Sequence, residues 1–212
     1  MADGCVMHHK RIRHLKTCDS LQERFLTQLS LSIKDYDHLL KFSNAIESTY
    51  PINIYTAHGY TNTEYGRILI EDKSLYESLI LKGVKQNKTF NEDFPYEHVG
   101  EEYYIDVARG IFDADGCISK HKSRHGTDEY EFTINGTKEI IRGVQKVLGD
   151  TSNVKLSKRN PKRGNNNYTL KHSGNQITYK YMSLLYENAD VYLERKYQKY
   201  LQLKELLNSR IQ

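Results

Sequence analysis

The sequence predicts an α+β protein built from two similar units, each with antiparallel strands and covering helices. The first observation is an internal repeat, because Ala-Asp-Gly-Cys occurs at residues 2–5 and again at 114–117, 112 residues further on. The second is that strand-like and helix-like patterns follow both copies in the same order. A short repeat that is followed by the same order of elements indicates a duplicated unit of mixed strands and helices.

The first half begins with a basic stretch at 8–11, followed by alternating apolar and polar residues at 25–33 that predict a strand. The other predicted elements are a helix at 35–47, strands at 53–58 and 65–70 around a turn at 59–62, and a closing helix at 74–81. The predicted order is therefore strand, strand, helix, strand, strand, helix.

The second half repeats this order after a preceding helix predicted at 101–112. A basic stretch at 120–124 is followed by a predicted strand at 130–135 and a helix at 138–148. Strands are predicted at 153–157 and 168–172, around a turn at 160–167 that contains Pro and Gly, and helices at 177–186 and 192–211. We therefore predict an N-terminal unit at 1–84, a linker at 85–99 that holds Pro95, and a C-terminal unit at 100–212.

Length, hydropathy and cysteine spacing exclude several classes of protein. A chain of 212 residues can form one or two compact domains. No apolar run reaches 18 residues, the mean hydropathy is -0.73, and the N-terminus lacks the apolar segment of a secretory signal, so no membrane span or secretion is expected. Cys5, Cys18 and Cys117 form no CxxC pair, which argues against a zinc knuckle or a disulfide framework. This favours a reducing, intracellular location, expected to be the cytoplasm of a bacterial or phage-infected cell, with an organelle as the alternative.

Charge is unevenly distributed along the chain, although the net charge is only +4. Residues 8–16 and 151–172 are rich in Lys and Arg and contain no acid, whereas acidic residues gather at 92–102. Such segregation is typical of a surface that faces nucleic-acid phosphates. The alternative is that these residues are solvated strand edges, which lysine commonly protects from pairing.

Apolar residues recur with helical spacing just before the second repeat. Tyr104, Val107, Ala108, Ile111 and Phe112 follow the i, i+3, i+4, i+7, i+8 pattern of a helix with one apolar face. Glycine in a helix is less stable than alanine by about 0.5–1 kcal/mol, so a glycine inside this helix predicts a close approach by another backbone.

Two carboxylates, Asp113 and Asp115, lie at the predicted C-terminus of this helix, where the helix dipole disfavours anions. A bound hard cation such as Mg²⁺ is one explanation. An EF-hand is excluded, because its twelfth position is Glu and the twelfth residue from Asp113 is Arg124. A helix end capped by Gly116 in the left-handed conformation stays possible, but it does not account for the repeat at Asp3.

Residues 108–116 resemble the LAGLIDADG signature of the homing endonucleases, in Gly110, in the aliphatic Ile111 and in the whole of Asp-Ala-Asp-Gly. Residues 1–4 resemble the end of a first copy, and the element order over nearly the whole chain is similar to the family's αββαββα unit. The resemblance implies two units that form a pseudo-twofold saddle of antiparallel sheets on DNA. It also implies a central helix interface, formed here by Tyr104, Val107, Ala108, Gly110, Ile111 and Phe112.

The resemblance further implies a sequence-specific, double-strand DNA endonuclease with a long target site, of the kind that spreads mobile introns. In the family the last Asp of each signature binds divalent metal, here Asp3 and Asp115, with the carbonyls of Ala2 and Ala114 nearby. The cofactor implied is Mg²⁺, with Mn²⁺ as an alternative, and Asp113 is expected to cap or orient. The family also places a basic residue near each scissile phosphate, here Lys88 (or Lys85) and Lys196, unless these are ordinary helix-end charges.

Residues on one face of each sheet are expected to contact the DNA, because alternate residues of a strand face the same way. The predicted contacts are His9, Arg11, Lys120, Lys122, Arg124, Lys155, Ser157, Arg159 and Lys171, with Lys162 and Arg163 contacting phosphate from a loop.

The sequence departs from the family pattern at two places. The helix that would precede Asp3 is absent from this sequence, so we expect that the chain is a fragment, that its true start lies upstream or that the gene has decayed. In addition, Arg109 stands where the signature has a small residue. We therefore expect weak or absent cleavage with DNA binding partly retained. The alternatives are a catalytically inactive DNA- or RNA-binding protein, such as a regulator or maturase, or a decayed remnant. A two-motif chain is expected to be a monomer, and the unpaired helix face makes self-association an alternative.

Overall fold

The computed structural model describes residues 4–14, 19–58, 62–86, 90–152, 156–158 and 166–209. The chain divides into two compact units after Asn87. Each unit has a four-stranded antiparallel sheet whose strands follow the same spatial order. The predicted α+β class is therefore confirmed, and so is the order strand, strand, helix, strand, strand, helix in each unit.

The first unit contains two long strands followed by two short helices and two further strands. Its elements are β1 (Gly4–His14), β2 (Asp19–Ser32), α1 (Tyr36–Ala45), β3 (Ile52–Ala57), β4 (Thr63–Glu71) and α2 (Lys73–Leu81). The sheet order is β1-β2-β4-β3. Helix α2 begins where it does because the Asp72 side chain accepts a hydrogen bond from the Leu75 amide at 2.7 Å. The buried cluster of Leu39, Ile68 and Ile70 joins the helices to the sheet.

The second unit begins with the helix that carries the sequence motif. Its elements are α3 (Tyr104–Asp115), β5 (Gly116–Lys122), β6 (Asp128–Gly136), α4 (Lys138–Val147), β7 (Ser157–Lys158), β8 (Tyr168–Ser173), α5 (Asn175–Tyr186) and α6 (Glu194–Asn208). The sheet order is β5-β6-β8-β7. No helix in the described ranges is long and apolar enough to cross a membrane.

Helix α3 ends three residues later than predicted, at Asp115, and Gly116 follows it in an extended conformation with φ of -91°. The predicted left-handed cap at Gly116 is therefore wrong. Glycine is nevertheless required there, because an added Cβ would lie 2.2 Å from Cδ2 of Phe112. The motif glycine thus permits the close approach of the Phe112 ring to the start of β5.

The segment predicted as a linker, 85–99, packs on the second unit over its described residues from Phe90 onward. Phe94 is only 6% exposed and belongs to the second buried cluster. Gly143 in α4 makes room for it, since a Cβ there would lie 2.2 Å from Cβ of Phe94. The Tyr96 hydroxyl donates to the Gly143 carbonyl at 3.0 Å, so aromatic packing holds this segment on α4.

Candidate nucleic-acid interface and carboxylate site

The two carboxylates at the end of α3 lie in opposite environments. Asp113 is 6% exposed and accepts hydrogen bonds from the Tyr186 hydroxyl and, at 3.0 Å, from the Leu193 amide. Burial and the adjacent Asp113 carboxylate raise the pKa of Tyr186, which keeps the phenol protonated as a donor. Asp115, the last residue of the helix, is exposed. Asp113 is thus placed to orient the helix end, while Asp115 faces outward.

Asp115 lies next to polar residues of the second sheet. The Asn135 side-chain amide donates to the Asp115 carbonyl at 3.4 Å, and Thr169 Oγ1 donates to Asn135 Oδ1 at 2.7 Å. These two contacts join the end of α3 to β6 and β8. The described residues contain no group of three or more His, Cys, Asp or Glu close enough to hold a metal ion.

Asp3 and Ala2, predicted with Asp115 and Ala114 as metal-binding residues, lie outside the described residues, and so does Lys88. Ala114 is half-buried beside Asp115. The metal-binding role of all four residues therefore stays a prediction.

Lys196 is placed differently from the prediction that it faces a scissile phosphate. Its side chain is buried, with the residue 2% exposed. Its ammonium donates to the carbonyls of Phe112 at 2.6 Å, Asp113 at 2.7 Å and Gly116 at 2.6 Å. An ammonium has three N–H donors. All three have carbonyl acceptors here, so Lys196 caps the end of α3 instead of presenting its charge to DNA.

The residues predicted to form the helix interface lie on two different sides of α3. Ala108 and Phe112 are fully buried in the core of the second unit, and the Phe112 ring stacks on Phe132 with centroids 4.7 Å apart. Tyr104 packs edge-on to the rings of Phe94 and Tyr96. These residues stabilise the unit itself, which corrects their assignment to an interface with another helix. The cause is that residues at i, i+4 and i+8 form the stripe that covers the sheet.

The remaining interface residues lie on another side of α3. Val107 and Ile111 are half-buried, and Gly110 is exposed. Among the described residues, no atom lies within 4 Å of a Cβ added at Gly110. The close approach predicted at Gly110 is therefore not seen in this part of the chain.

Arg109 stands where the signature has a small residue, and its side chain is directed away from the side of α3 that carries Gly110. Its Nε donates to the Leu185 carbonyl near the end of α5, and Nη1 contacts Asp106 at 2.8 Å. Arg109 thus joins α3 to α5 within the second unit.

In the first sheet, the face opposite the helices carries polar and charged side chains together with Met7, Leu26 and Leu69. His9 and Arg11 lie on it, as the alternation predicted, whereas Val6 and Ile68 point to the helix side. The register adds residues that sequence analysis missed, since Arg24 pairs with His9, Gln22 with Arg11, and Arg67 with Ser30. The sequence shows alternation within a strand, but pairing across strands depends on a register that it does not show.

Two arginines on this face are held by neighbours. Arg24 forms a bidentate ion pair with Glu71, at 2.9 Å from Nε and 2.7 Å from Nη2. His9, Arg11, Gln22, Arg24 and Glu71 line a shallow depression.

Arg67 is held by hydroxyls and by aromatic rings. It donates to Ser30 Oγ at 3.3 Å and to the Tyr65 hydroxyl at 3.2 Å. Its guanidinium lies 4.9 Å from the centroid of the Tyr55 ring. Two tyrosines thus orient an arginine that sequence analysis missed, and the signal in the sequence was the period-two spacing of Tyr65 and Arg67 on β4.

In the second sheet, Lys120 and Lys122 lie on the helix-side face, contrary to the prediction that they face DNA. They pair with Tyr130 and Asp128, and buried Ile118 precedes them on the same face. Both ammonium groups contact Asp128, at 2.9 and 2.7 Å. Hydrogen bonds from Lys122 and Lys120 lower the pKa of Asp128 to about 2. The alternation of residues along β5 follows from the sequence, but which alternate residues face the helices depends on tertiary packing.

The opposite face of the second sheet carries mixed polar groups. Its described residues are Cys117, Ser119, His121, Glu129, Glu131, Thr133, Asn135, Thr169, Lys171 and Ser173. The predicted contact Lys171 is among them and forms an ion pair with Glu131. Burial alone would raise the pKa of Glu131, but hydrogen bonds from Lys171 and Ser173 lower it.

The other predicted contacts of this unit lie elsewhere. Arg124 is exposed in the turn between β5 and β6, and Ser157 pairs in register with Thr169. Lys155, Arg159, Lys162 and Arg163 lie outside the described residues.

Comparison of sequences gives no match, either to a protein-family model or to a curated protein. Comparison of structures, in contrast, finds solved structures that match nearly the whole chain. The LAGLIDADG homing endonuclease I-LtrWI bound to target DNA matches with a TM-score of 0.61 and 12% identity, over 98% of this chain and 87% of that chain. The LAGLIDADG meganuclease I-AabMI bound to uncleaved DNA matches with 0.56 and 14%, over 98% and 88%. I-SmaMI bound to an uncleaved DNA target in the presence of calcium ions matches with 0.58 and 11%, over 99% and 89%. At these identities the likeness establishes the fold.

Proposed function

We propose that this chain, whose fold is that of the LAGLIDADG homing endonucleases, is a sequence-specific, divalent-metal-dependent DNA endonuclease. The observation that carries the proposal is the end of α3. There the motif Asp-Ala-Asp-Gly presents an exposed Asp115 while Asp113 is buried and hydrogen-bonded. Structural neighbours of the same fold are bound to DNA, which supports DNA as the partner.

DNA binding is proposed for the sheet faces opposite the helices. The major groove of B-DNA admits a two-stranded β-ribbon, so strands can present side chains to base edges. The first sheet offers His9, Arg11, Arg24 and Arg67 on one face, with Glu71 already paired to Arg24. Arginine guanidinium groups bind phosphates, and oriented arginines read guanine.

The residues at the end of α3 fit a hard divalent cation. Mg²⁺ typically binds one or two carboxylates and keeps several waters, so the exposed Asp115 is a carboxylate of the kind that such an ion prefers. Calcium ions with a structural neighbour also support a divalent cation. When bound, such an ion supplies an activated water and stabilises the leaving oxygen. The chain's own residues hold the site, Asp115 as the ligand and Asp113 by anchoring the helix end.

The test starts from a random double-stranded DNA library, from which bound sites are selected in Ca²⁺. Enriched sites are then incubated with the chain in Mg²⁺ or Mn²⁺, and nicks are measured on gels. We expect Asp115→Asn to lower nicking about 100-fold or more while binding is retained. The matched control is Asp106→Asn, which removes an exposed carboxylate from the same helix and should leave nicking unchanged. Equal loss in both variants would contradict the role of Asp115.

One observation favours a second candidate, a DNA-binding protein without nuclease activity. The lysine predicted to face the scissile phosphate, Lys196, is buried and satisfied by three carbonyls. Wild-type chain that binds selected DNA but never nicks it, in either metal, would support this candidate.

A further inference from the structure

The buried ammonium of Lys196 contacts the main chain on both sides of Asp115. Its three acceptors are the carbonyls of Phe112, Asp113 and Gly116, all within 2.7 Å. Phe112 and Asp113 belong to the last turn of α3, and Gly116 is the first residue of β5. One side chain therefore connects the helix end, across Asp115, to the start of the strand.

The chemistry of a helix C-terminus explains this arrangement. The last carbonyls of a helix lack partners within the helix, and the end carries a partial negative charge of about half an electron. A buried ammonium, in turn, needs hydrogen-bond acceptors to offset its lost hydration. Lys196 and the end of α3 satisfy each other. The ammonium also lies 4.9 Å from the centroid of the Phe112 ring, which adds a cation–π contact.

A second set of contacts anchors the same turn. The Asp113 carboxylate accepts from the amide of Leu193, the residue just before α6, and from the Tyr186 hydroxyl. One turn further along α6, Lys199 donates to the Ile118 carbonyl in β5 at 2.8 Å. The start of α6 therefore holds α3 and β5 through both side-chain and main-chain groups.

We propose that Lys196 is a positioning residue for Asp115. Its ammonium fixes the main chain at 112–116, so that the Asp115 carboxylate is presented outward in one orientation for a divalent cation. The inference rests on the proposed function, in which Asp115 is a metal ligand. Lys196 acts through Asp115 and touches no phosphate. Groups that orient metal ligands typically change metal affinity by 10–100-fold when they are removed.

The test compares Lys196→Met with wild type. Methionine keeps an unbranched stem but removes the charge and all three donors. We expect the dissociation constant for Mn²⁺ alone, measured by electron paramagnetic resonance, to rise about tenfold or more. We also expect amide hydrogen exchange across 112–118 to accelerate about tenfold. The matched control is Lys204→Met, which removes a lysine from the same helix that lies over the Tyr200 ring and should shift both quantities by less than about twofold.

Each outcome decides the proposal. A folded Lys196→Met variant with wild-type Mn²⁺ affinity and unchanged exchange at 112–118 would overturn it. Faster exchange with unchanged Mn²⁺ affinity would reduce Lys196 to a purely structural residue. If the wild type binds no Mn²⁺, the proposed function loses its metal site, and the exchange data alone decide whether Lys196 fixes the segment.

A measurement on the wild type covers the case in which Lys196→Met does not fold. Nuclear magnetic resonance of the chain labelled with ¹⁵N-lysine should show one ammonium whose protons exchange slowly with water, assigned to Lys196 through its carbonyl partners. An ammonium that exchanges as fast as those of the exposed lysines would contradict the carbonyl cradle and with it the positioning role.

Discussion

At the scale of single residues, partners decide what each polar side chain can do. Asp113 and Asp115 are chemically identical and two positions apart, yet one accepts hydrogen bonds in the core and the other is exposed. Asp150 is a third case. Its side chain is 2% exposed and accepts from His172 at 2.9 Å and from Gln145 at 2.7 Å. Buried polar groups with partners of this kind stabilise the fold.

The Asp150 network predicts acid sensitivity. Burial alone would raise the pKa of Asp150, but hydrogen bonds from Ser152, Gln145 and Tyr181 hold it well below its usual range. Because the folded state lowers this pKa, the associated stability is fully present above the ordinary value near 4 and is lost as the pH falls below it.

We therefore expect Asp150→Asn to lower the free energy of unfolding by about 1–3 kcal/mol at pH 7, and to flatten its dependence on pH below about pH 5. Urea denaturation at several pH values between 7 and 3 measures both effects. Asp190→Asn, at an exposed carboxylate, should follow the wild-type curve. A variant that keeps the full acid sensitivity would show that other groups cause it.

Arg67 on the first sheet is oriented by two hydroxyls and by aromatic rings, which predicts a specific base contact. Arg67→Lys keeps the charge but loses the planar fork that reads guanine. We expect affinity for the preferred site to fall by about 1–3 kcal/mol and discrimination at one base pair to relax. Selection from a random library, followed by fluorescence anisotropy, measures both. Uniform weakening across all sequences would instead indicate a phosphate contact.

At the scale of elements, helix α3 has two roles, and different residues of the helix perform each of them. Ala108 and Phe112 pack on the unit's own sheet, while Asp115 at the end is exposed.

Two mid-helix glycines illustrate how packing decides the effect of a side chain. Gly143 in α4 lies against Phe94, whereas Gly110 in α3 has no described atom within 4 Å of an added Cβ.

These glycines predict opposite results for the same substitution. Gly143→Ala would place its Cβ 2.2 Å from Cβ of Phe94, which is fixed to the backbone and cannot rotate away. We expect it to be destabilising by about 1–3 kcal/mol. Gly110→Ala should be stabilising by about 0.5–1 kcal/mol, because alanine favours helix. Thermal unfolding of both variants decides, and destabilisation by Gly110→Ala would indicate a helix packed on that face.

At the scale of the whole molecule, the two units differ in the size of their buried clusters. Eighteen described hydrophobic residues form the buried cluster of the second unit, against Leu39, Ile68 and Ile70 in the first. Since buried apolar area contributes about 25 cal/mol per Å², the second unit should be the more stable.

We therefore expect amides of β2 and β4 to exchange with solvent before those of β6 and β8 under native conditions. Hydrogen exchange followed by mass spectrometry gives this order directly. The same experiment with selected DNA bound should protect the first sheet more than the second, because its arginines are the ones offered to the ligand. Simultaneous exchange of both sheets would show a single cooperative unit.

Local patterns in the sequence determined the repeat, the order of strands and helices, the signature at 108–116 and the separate expectations for Asp113 and Asp115. These follow from periodicity, turn residues and helix-end electrostatics, which involve neighbours within a few positions. His9, Arg11 and Lys171 lie on the sheet faces opposite the helices, and their contact with DNA stays a prediction.

The tertiary structure alone decided which alternate residues of β5 face the helices, which residues pair across strands, and where the charge of Lys196 goes. Lys120 and Lys122 form ion pairs with Asp128, Phe94 packs in the core of the second unit, and Lys196 donates to carbonyls 80 to 84 residues away in the chain. A shift of one residue in strand register exchanges the two faces, and a buried cation goes wherever acceptors replace its water. Neither the strand register nor the position of such acceptors can be predicted from a local sequence pattern, because both depend on segments that meet only when the chain has folded.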